Sequence, residues 1–110
     1  MPTNKAELLQ GTLDLLILKT LAAAPMHGYS IVQRIQQRSD DVLVVEEGSL
    51  YPALHRLERE KLIAGAWRIT ESGRKARFYS LTARGSKRLE EAESDWNALS
   101  KGVKRLLRFV

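Results

Sequence analysis

Residues 46–63 read EEGSLYPALHRLEREKLI. Leu50, Leu54 and Leu57 are spaced four and three residues apart, so they share one face of a helix. A short helix needs such a stripe to dock on a core. The opposite side carries Pro52, His55, Arg56 and Arg59, with Tyr51 on the flank. The pattern predicts a helix starting near Gly48 or Ser49. Pro52 then falls in the first turn or just after it, where a missing N–H costs least. An aromatic ring, an imidazole and two guanidiniums on an outward face suit a polyanionic surface. Taken alone, the same residues also make an ordinary solvated helix face.

Upstream, Asn4 with Glu7 three residues on has the form of a capping box for a first helix running to about Ala23. Leu8, Leu15 and Leu18 form one stripe of it; Leu9, Leu13, Leu16 and Ile17 form another. A helix apolar on most sides is buried on most sides, which points to a partner beyond the domain's own core. The stretch AAPMHGYS turns the chain at Pro25 and Gly28, and a second helix follows from about Tyr29 to Arg38, with Ile31, Val32 and Ile35 inward. The run DDVLVV reads as a brief strand or an extended connector. Downstream, LIAGAWRI, the turn TESGRK and ARFYSLT predict a hairpin. Thr82 can cap a last helix over roughly Ala83 to Arg108. Along it Leu89, Ala92, Trp96, Leu99, Val103 and Leu106 alternate spacings of three and four, the seam of a helix that packs lengthwise on another.

The 110 residues suggest one folding unit, and 44% hydrophobic content suffices for a core. With no cysteine and two histidines, thiol chemistry and disulfides are excluded and a zinc site is disfavoured. No Ser/His/Asp set, facing carboxylate pair or glycine-rich phosphate loop is present, so no enzyme and no cofactor is expected. The apolar stretch Leu13–Leu21 is interrupted by Asp14, Lys19 and Thr20 and lacks the flanks of a signal peptide. It is also too short to cross a bilayer, so a soluble, cytoplasmic protein is expected. The net charge is +5. Residues 68–88 hold Arg68, Arg74, Lys75, Arg77, Arg84, Lys87 and Arg88 against Glu71 alone, a local surplus of six. Basic charge concentrated on a hairpin is the electrostatic footprint of a nucleic-acid partner.

Three helices followed by a hairpin is the order of a winged helix-turn-helix, so the expected class is α+β, mainly α. Residues 1–82 form the DNA-binding domain and residues 83–110 a dimerisation helix. In such a domain the third helix enters the major groove and the hairpin reaches alongside it. Arg56 and Arg59 can pair with phosphates or guanine edges, and Ser49 and Tyr51 can donate to phosphate oxygens. Tyr29 belongs to the second helix's start near the DNA backbone. His55 stays open between a base contact and a solvated position.

The three blocks GTLDLLILKTL…MHGYSI, GSLYPALHRLEREKLI and RKARFYSLTARG resemble, in this order and spacing, the PadR family of bacterial transcriptional regulators. They cover about three quarters of the chain, and the single C-terminal helix resembles the smaller subfamily. The resemblance implies a homodimer, usually a repressor, on an inverted-repeat operator. It also implies DNA contacts from the third helix and from the wing through Arg74, Lys75 and Arg77. Lys61 stands where many relatives carry glycine, and Glu71 puts a negative charge in the wing turn. Some relatives hold flat aromatic effectors in an apolar pore between subunits. The resemblance extends this to Trp96, with Leu9, Asp14 and Leu18 as neighbours. The bland reading of Trp96 is an interface anchor, alongside Leu8, Leu15, Leu89, Ala92, Leu99, Val103 and Leu106. The alternative function is a winged-helix protein-interaction module that binds no DNA.

Overall fold

A computed structural model describes residues 10–109. Its order is α1 (Gln10–Ala23), β1 (Met26–His27), α2 (Gly28–Arg38), α3 (Glu47–Arg59), β2 (Ile63–Ile69), β3 (Lys75–Leu81) and α4 (Ala83–Arg108). The class is the expected one, mainly helical with a small antiparallel sheet. The capping pair Asn4–Glu7, together with Leu8 and Leu9, lies outside the described residues.

The core gathers Leu13, Ile17, Leu18 and Leu21 of α1, Ile31 and Ile35 of α2, and Leu50, Ala53, Leu54 and Leu57 of α3. Ile63, Tyr79 and Leu89 complete it from the sheet and α4. The leucine stripe of α3 is fully inward: Leu50, Leu54 and Leu57 have no exposed surface. Burying one such side chain contributes roughly 1.5–3 kcal/mol, so the three leucines are the main apolar attachment of this 13-residue helix.

One segment differs from expectation, and the DDVLVV run resolves to the connector of its two readings. The AAPMHGYS stretch is more than a turn: Met26 and His27 pair antiparallel with Tyr79 and Phe78, giving a sheet of order β1-β3-β2. The DDVLVV run forms no strand. Asp40 and Asp41 both take left-handed backbone, φ 50° and 66°, a conformation short acidic side chains tolerate. The chain thereby turns away from the sheet and delivers Val45 to the core.

α3 begins at Glu47, slightly earlier than expected, so Pro52 sits in its second turn. The proline's missing N–H leaves the carbonyl of Gly48 without an intrahelical donor, at an exposed position where water can take that place. The helix ends in a Schellman motif: the Lys61 N–H donates to the Glu58 carbonyl and the Leu62 N–H to the Leu57 carbonyl, both at 3.0 Å. That geometry puts Lys61 at φ 63°, a left-handed position that glycine fills without strain.

The hairpin pairs Ile63 with Leu81 through to Ile69 with Lys75. Thr70 closes it, accepting from Gly73 at its carbonyl and donating its own N–H to the Arg74 carbonyl at 2.7 Å. Gly73 supplies φ 83°. α4 then starts where Thr82 was expected to cap it: the Thr82 hydroxyl accepts from the Gly85 N–H at 3.0 Å. Gly85 packs against the β2 entrance so closely that an added Cβ would lie 1.9 Å from the Leu62 carbonyl oxygen. Leu89, expected at a dimer interface, is instead in the core of its own domain. The first two turns of α4 belong to the winged domain's packing, and the apolar seam is exposed only further on. Trp96 is 46% exposed, Leu99 60%, Val103 46% and Leu106 66%.

Candidate nucleic-acid interface

The outward side of α3 is narrower than the sequence suggested. Tyr51, Pro52, His55 and Arg59 are exposed and Ser49 is half-buried. Tyr51, His55 and Arg59 form one row at four-residue spacing, opposite the leucines. Arg56 is not on this side. Its guanidinium reaches back to α1 and donates to both carboxylate oxygens of Asp14, Nη1 to Oδ2 at 3.0 Å and Nη2 to Oδ1 at 2.6 Å. Glu60 lies 3.6 Å from Nη1. The Arg56 and Asp14 side chains are only 21% and 19% exposed. The bond to Asp14 raises the Arg56 pKa, against the opposing effect of burial, so the guanidinium stays charged. On a helical wheel Arg56 falls between Pro52 and Ala53, at the edge of the outward side next to α1, where Asp14 holds it.

The N-terminal turns of α2 and α3 meet. Gly28 is buried, and a Cβ there would lie 3.0 Å from the Tyr51 ring. Tyr29 is exposed beside it, so Tyr29, Ser49 and Tyr51 stand at one end of the two helices. His27 caps α2: its Nδ1 accepts from the Ser30 N–H at 3.3 Å, and its ring meets Phe78 of β3 edge-on at 5.4 Å. Among the described residues no group of three His, Asp or Glu side chains could hold a metal ion.

On the wing, Arg74 and Lys75 are exposed at the tip, beside exposed Glu71. Arg68 lies over the Phe78 ring at 5.3 Å. Arg77 does not stand free. It donates to Glu58 of α3 and stacks over Trp67 at 5.6 Å. Gly65 leaves it the path, since a Cβ there would lie 2.7 Å from Arg77 Nε. Arg77 thus fastens the hairpin to α3. The sequence pattern put Arg77 on the same hairpin face as Tyr79, but the Glu58 acceptor was not singled out. The signal was present: Glu58 lies one residue beyond the core position Leu57, on the side the hairpin covers. Among the described residues, Arg59, Arg68, Arg74 and Lys75 have no carboxylate partner.

A groove of about 450 Å³ runs between α1 and α4. Asp14, Leu15, Leu18, Ala92, Trp96 and Leu99 are on its walls. Three of the four effector candidates therefore share one concavity, and Leu9 is outside the described residues. The Asp14 carboxylate in that wall is already engaged by Arg56.

Three helices carrying a fastened β-hairpin, with unpaired cations on the third helix and the hairpin tip, define a winged helix-turn-helix of the nucleic-acid-binding class. Residues 17–91 match the Transcriptional regulator PadR-like family, and the chain belongs to that family. A PadR-like transcriptional regulator of Bacillus cereus is 33% identical, with a TM-score of 0.78 over 92% of this chain and 96% of that one. A PadR family transcriptional regulator of Eggerthella lenta is 36% identical, with a TM-score of 0.75 over 92% and 86%. A transcriptional regulator of Clostridium thermocellum is 26% identical, with a TM-score of 0.80 over 90% and 96%. The chain is a DNA-binding transcriptional regulator rather than an enzyme. No helix among the described residues is long and apolar enough to cross a membrane.

Proposed function

We propose that this chain is one half of a homodimeric repressor that occupies an inverted-repeat operator. The α4 seam carries this reading. Trp96, Leu99, Val103 and Leu106 stand exposed along one side of α4, beyond its buried start at Gly85 and Leu89. Each such side chain gains roughly 1.5–3 kcal/mol on burial, which favours pairing α4 with a second α4. Two-fold pairing sets two α3 helices about 34–36 Å apart, one turn of duplex, and makes the operator a palindrome. In each half, Tyr51, Pro52, His55 and Arg59 face the major groove. Tyr29 and Ser49 meet the backbone, and Arg74 and Lys75 reach along the wing. Bound there, the dimer excludes polymerase from the promoter.

The α1/α4 groove suits a flat aromatic effector, with the Trp96 ring as its stacking surface. Selection of bound sequences from random duplex DNA tests the main reading. A recovered palindrome with half-sites one turn apart is the expected result, and no enriched site would overturn it. Titration of planar aromatic compounds against tryptophan fluorescence tests the effector. Saturable quenching that is lost in a Trp96→Ala variant is expected.

A further inference from the structure

We infer that Asp14 is a positioning residue for DNA recognition, acting through Arg56 to set how α3 lies against α1. The inference rests on the DNA-binding reading above and deepens it.

The pair joins residues 42 apart in sequence and ties the recognition helix to the helix that walls the groove. Two parallel N–H···O bonds fix orientation as well as distance. About four-fifths of each side chain is shielded from solvent, so the pair escapes the screening that weakens surface ion pairs. Packing of Leu50, Leu54 and Leu57 holds α3 in place, but apolar contact is non-directional and leaves roll about the helix axis the least constrained motion. The Arg56 fork opposes that roll from the α1 side, as the Arg77–Glu58 bond does from the hairpin side. At a helix's outer radius a roll of about 10° moves a side chain by about 1 Å, which is enough to spoil hydrogen bonding to a base edge. Asp14 and Glu60, the two acceptors of Arg56, both line the groove between α1 and α4. Whatever fills that groove therefore meets the carboxylates that orient α3.

The opposite reading, in which Arg56 itself touches phosphate, predicts the opposite sign. Freed from Asp14, Arg56 would then bind DNA more tightly.

On the duplex recovered by selection, Asp14→Asn and Arg56→Gln should each weaken binding roughly 5- to 20-fold. The double variant should be no weaker than either single one. Arg56→Lys, which keeps the charge and loses the fork, should behave like Arg56→Gln. The slope of log affinity against log salt should stay unchanged in all of them. Tighter or equal binding by Asp14→Asn would overturn the inference. So would a slope reduced by about one in Arg56→Gln, the mark of a lost phosphate contact. If Asp14→Asn does not fold, the loss and the slope of Arg56→Lys decide alone. Without DNA, the amide shifts of residues 51–59 should move in whichever variant folds. Unmoved shifts would overturn the inference even where selection recovers no operator, an outcome that would by itself strike only the DNA-binding reading.

Discussion

At the scale of single residues, the backbone at Lys61 is the clearest local expense. A left-handed conformation costs an L-residue about 1–2 kcal/mol, and the Schellman turn demands it here. Lys61→Gly should therefore stabilise the fold by roughly 0.5–1 kcal/mol, the strain relief less the added freedom of the unfolded chain. Thermal melting followed by circular dichroism should show a midpoint about 2–6 °C higher. An unchanged or lower midpoint would contradict it. Tyr79 is the residue whose titration bears on stability. Burial, the largest cause, holds its phenol above the ordinary range. The native state then keeps a proton that the unfolded chain gives up near pH 10. Stability is complete below that pH and falls as pH rises beyond it. Urea midpoints should decline above about pH 10, and more gently in Tyr79→Phe.

At the scale of elements, the wing and α3 act as one body, because Arg77 bonds to Glu58 and stacks on Trp67. In the proposed complex the wing's DNA contacts fall to its exposed tip. Replacing Arg74 and Lys75 with Ala should lower the slope of log affinity against log salt by about two and weaken all duplexes alike. A loss confined to one sequence would mean base reading instead. α4 divides into two functions along its length. Gly85 and Leu89 are committed to the domain, while Leu99 and Leu106 are not. Leu99→Glu should leave the melting of the winged domain intact yet convert the proposed dimer to monomer, which sedimentation at micromolar concentration would reveal. A dimer that persisted would place the interface elsewhere.

At the scale of the whole molecule, periodicity made all four helices and the hairpin legible in the sequence, because each has a run long enough to repeat. The α4 boundaries were legible for the further reason that Thr82 is a chemical cap. β1 was not legible, since two residues carry no period, and its existence depends on a partner strand fifty positions away. The candidate interface was partly legible for the same reason. Helical spacing told which side chains leave the core, giving Tyr51, His55 and Arg59. It could not tell which of those leaving find a carboxylate on another element, and so Arg56 and Arg77 were assigned to DNA while the folded chain spends them on Asp14 and Glu58. Leu89 was misassigned because a regular seam does not announce where a helix crosses from its own domain to a neighbour.

The clamp of Gly85 against the Leu62 carbonyl, with the Thr82 hydroxyl beside it, makes α4 a rigid axle rather than a hinged tether. In the proposed dimer the gap between half-sites is thus a ruler cut in helical turns. Inserting one residue beside Asn97 would swing the far head by about 100° and advance it 1.5 Å, putting it out of phase with the double helix. Inserting seven would return each head to within about 20° of its setting while moving it about 10 Å along the axis, some three base pairs, over which the duplex itself turns by about 100°, so the half-sites would still be missed.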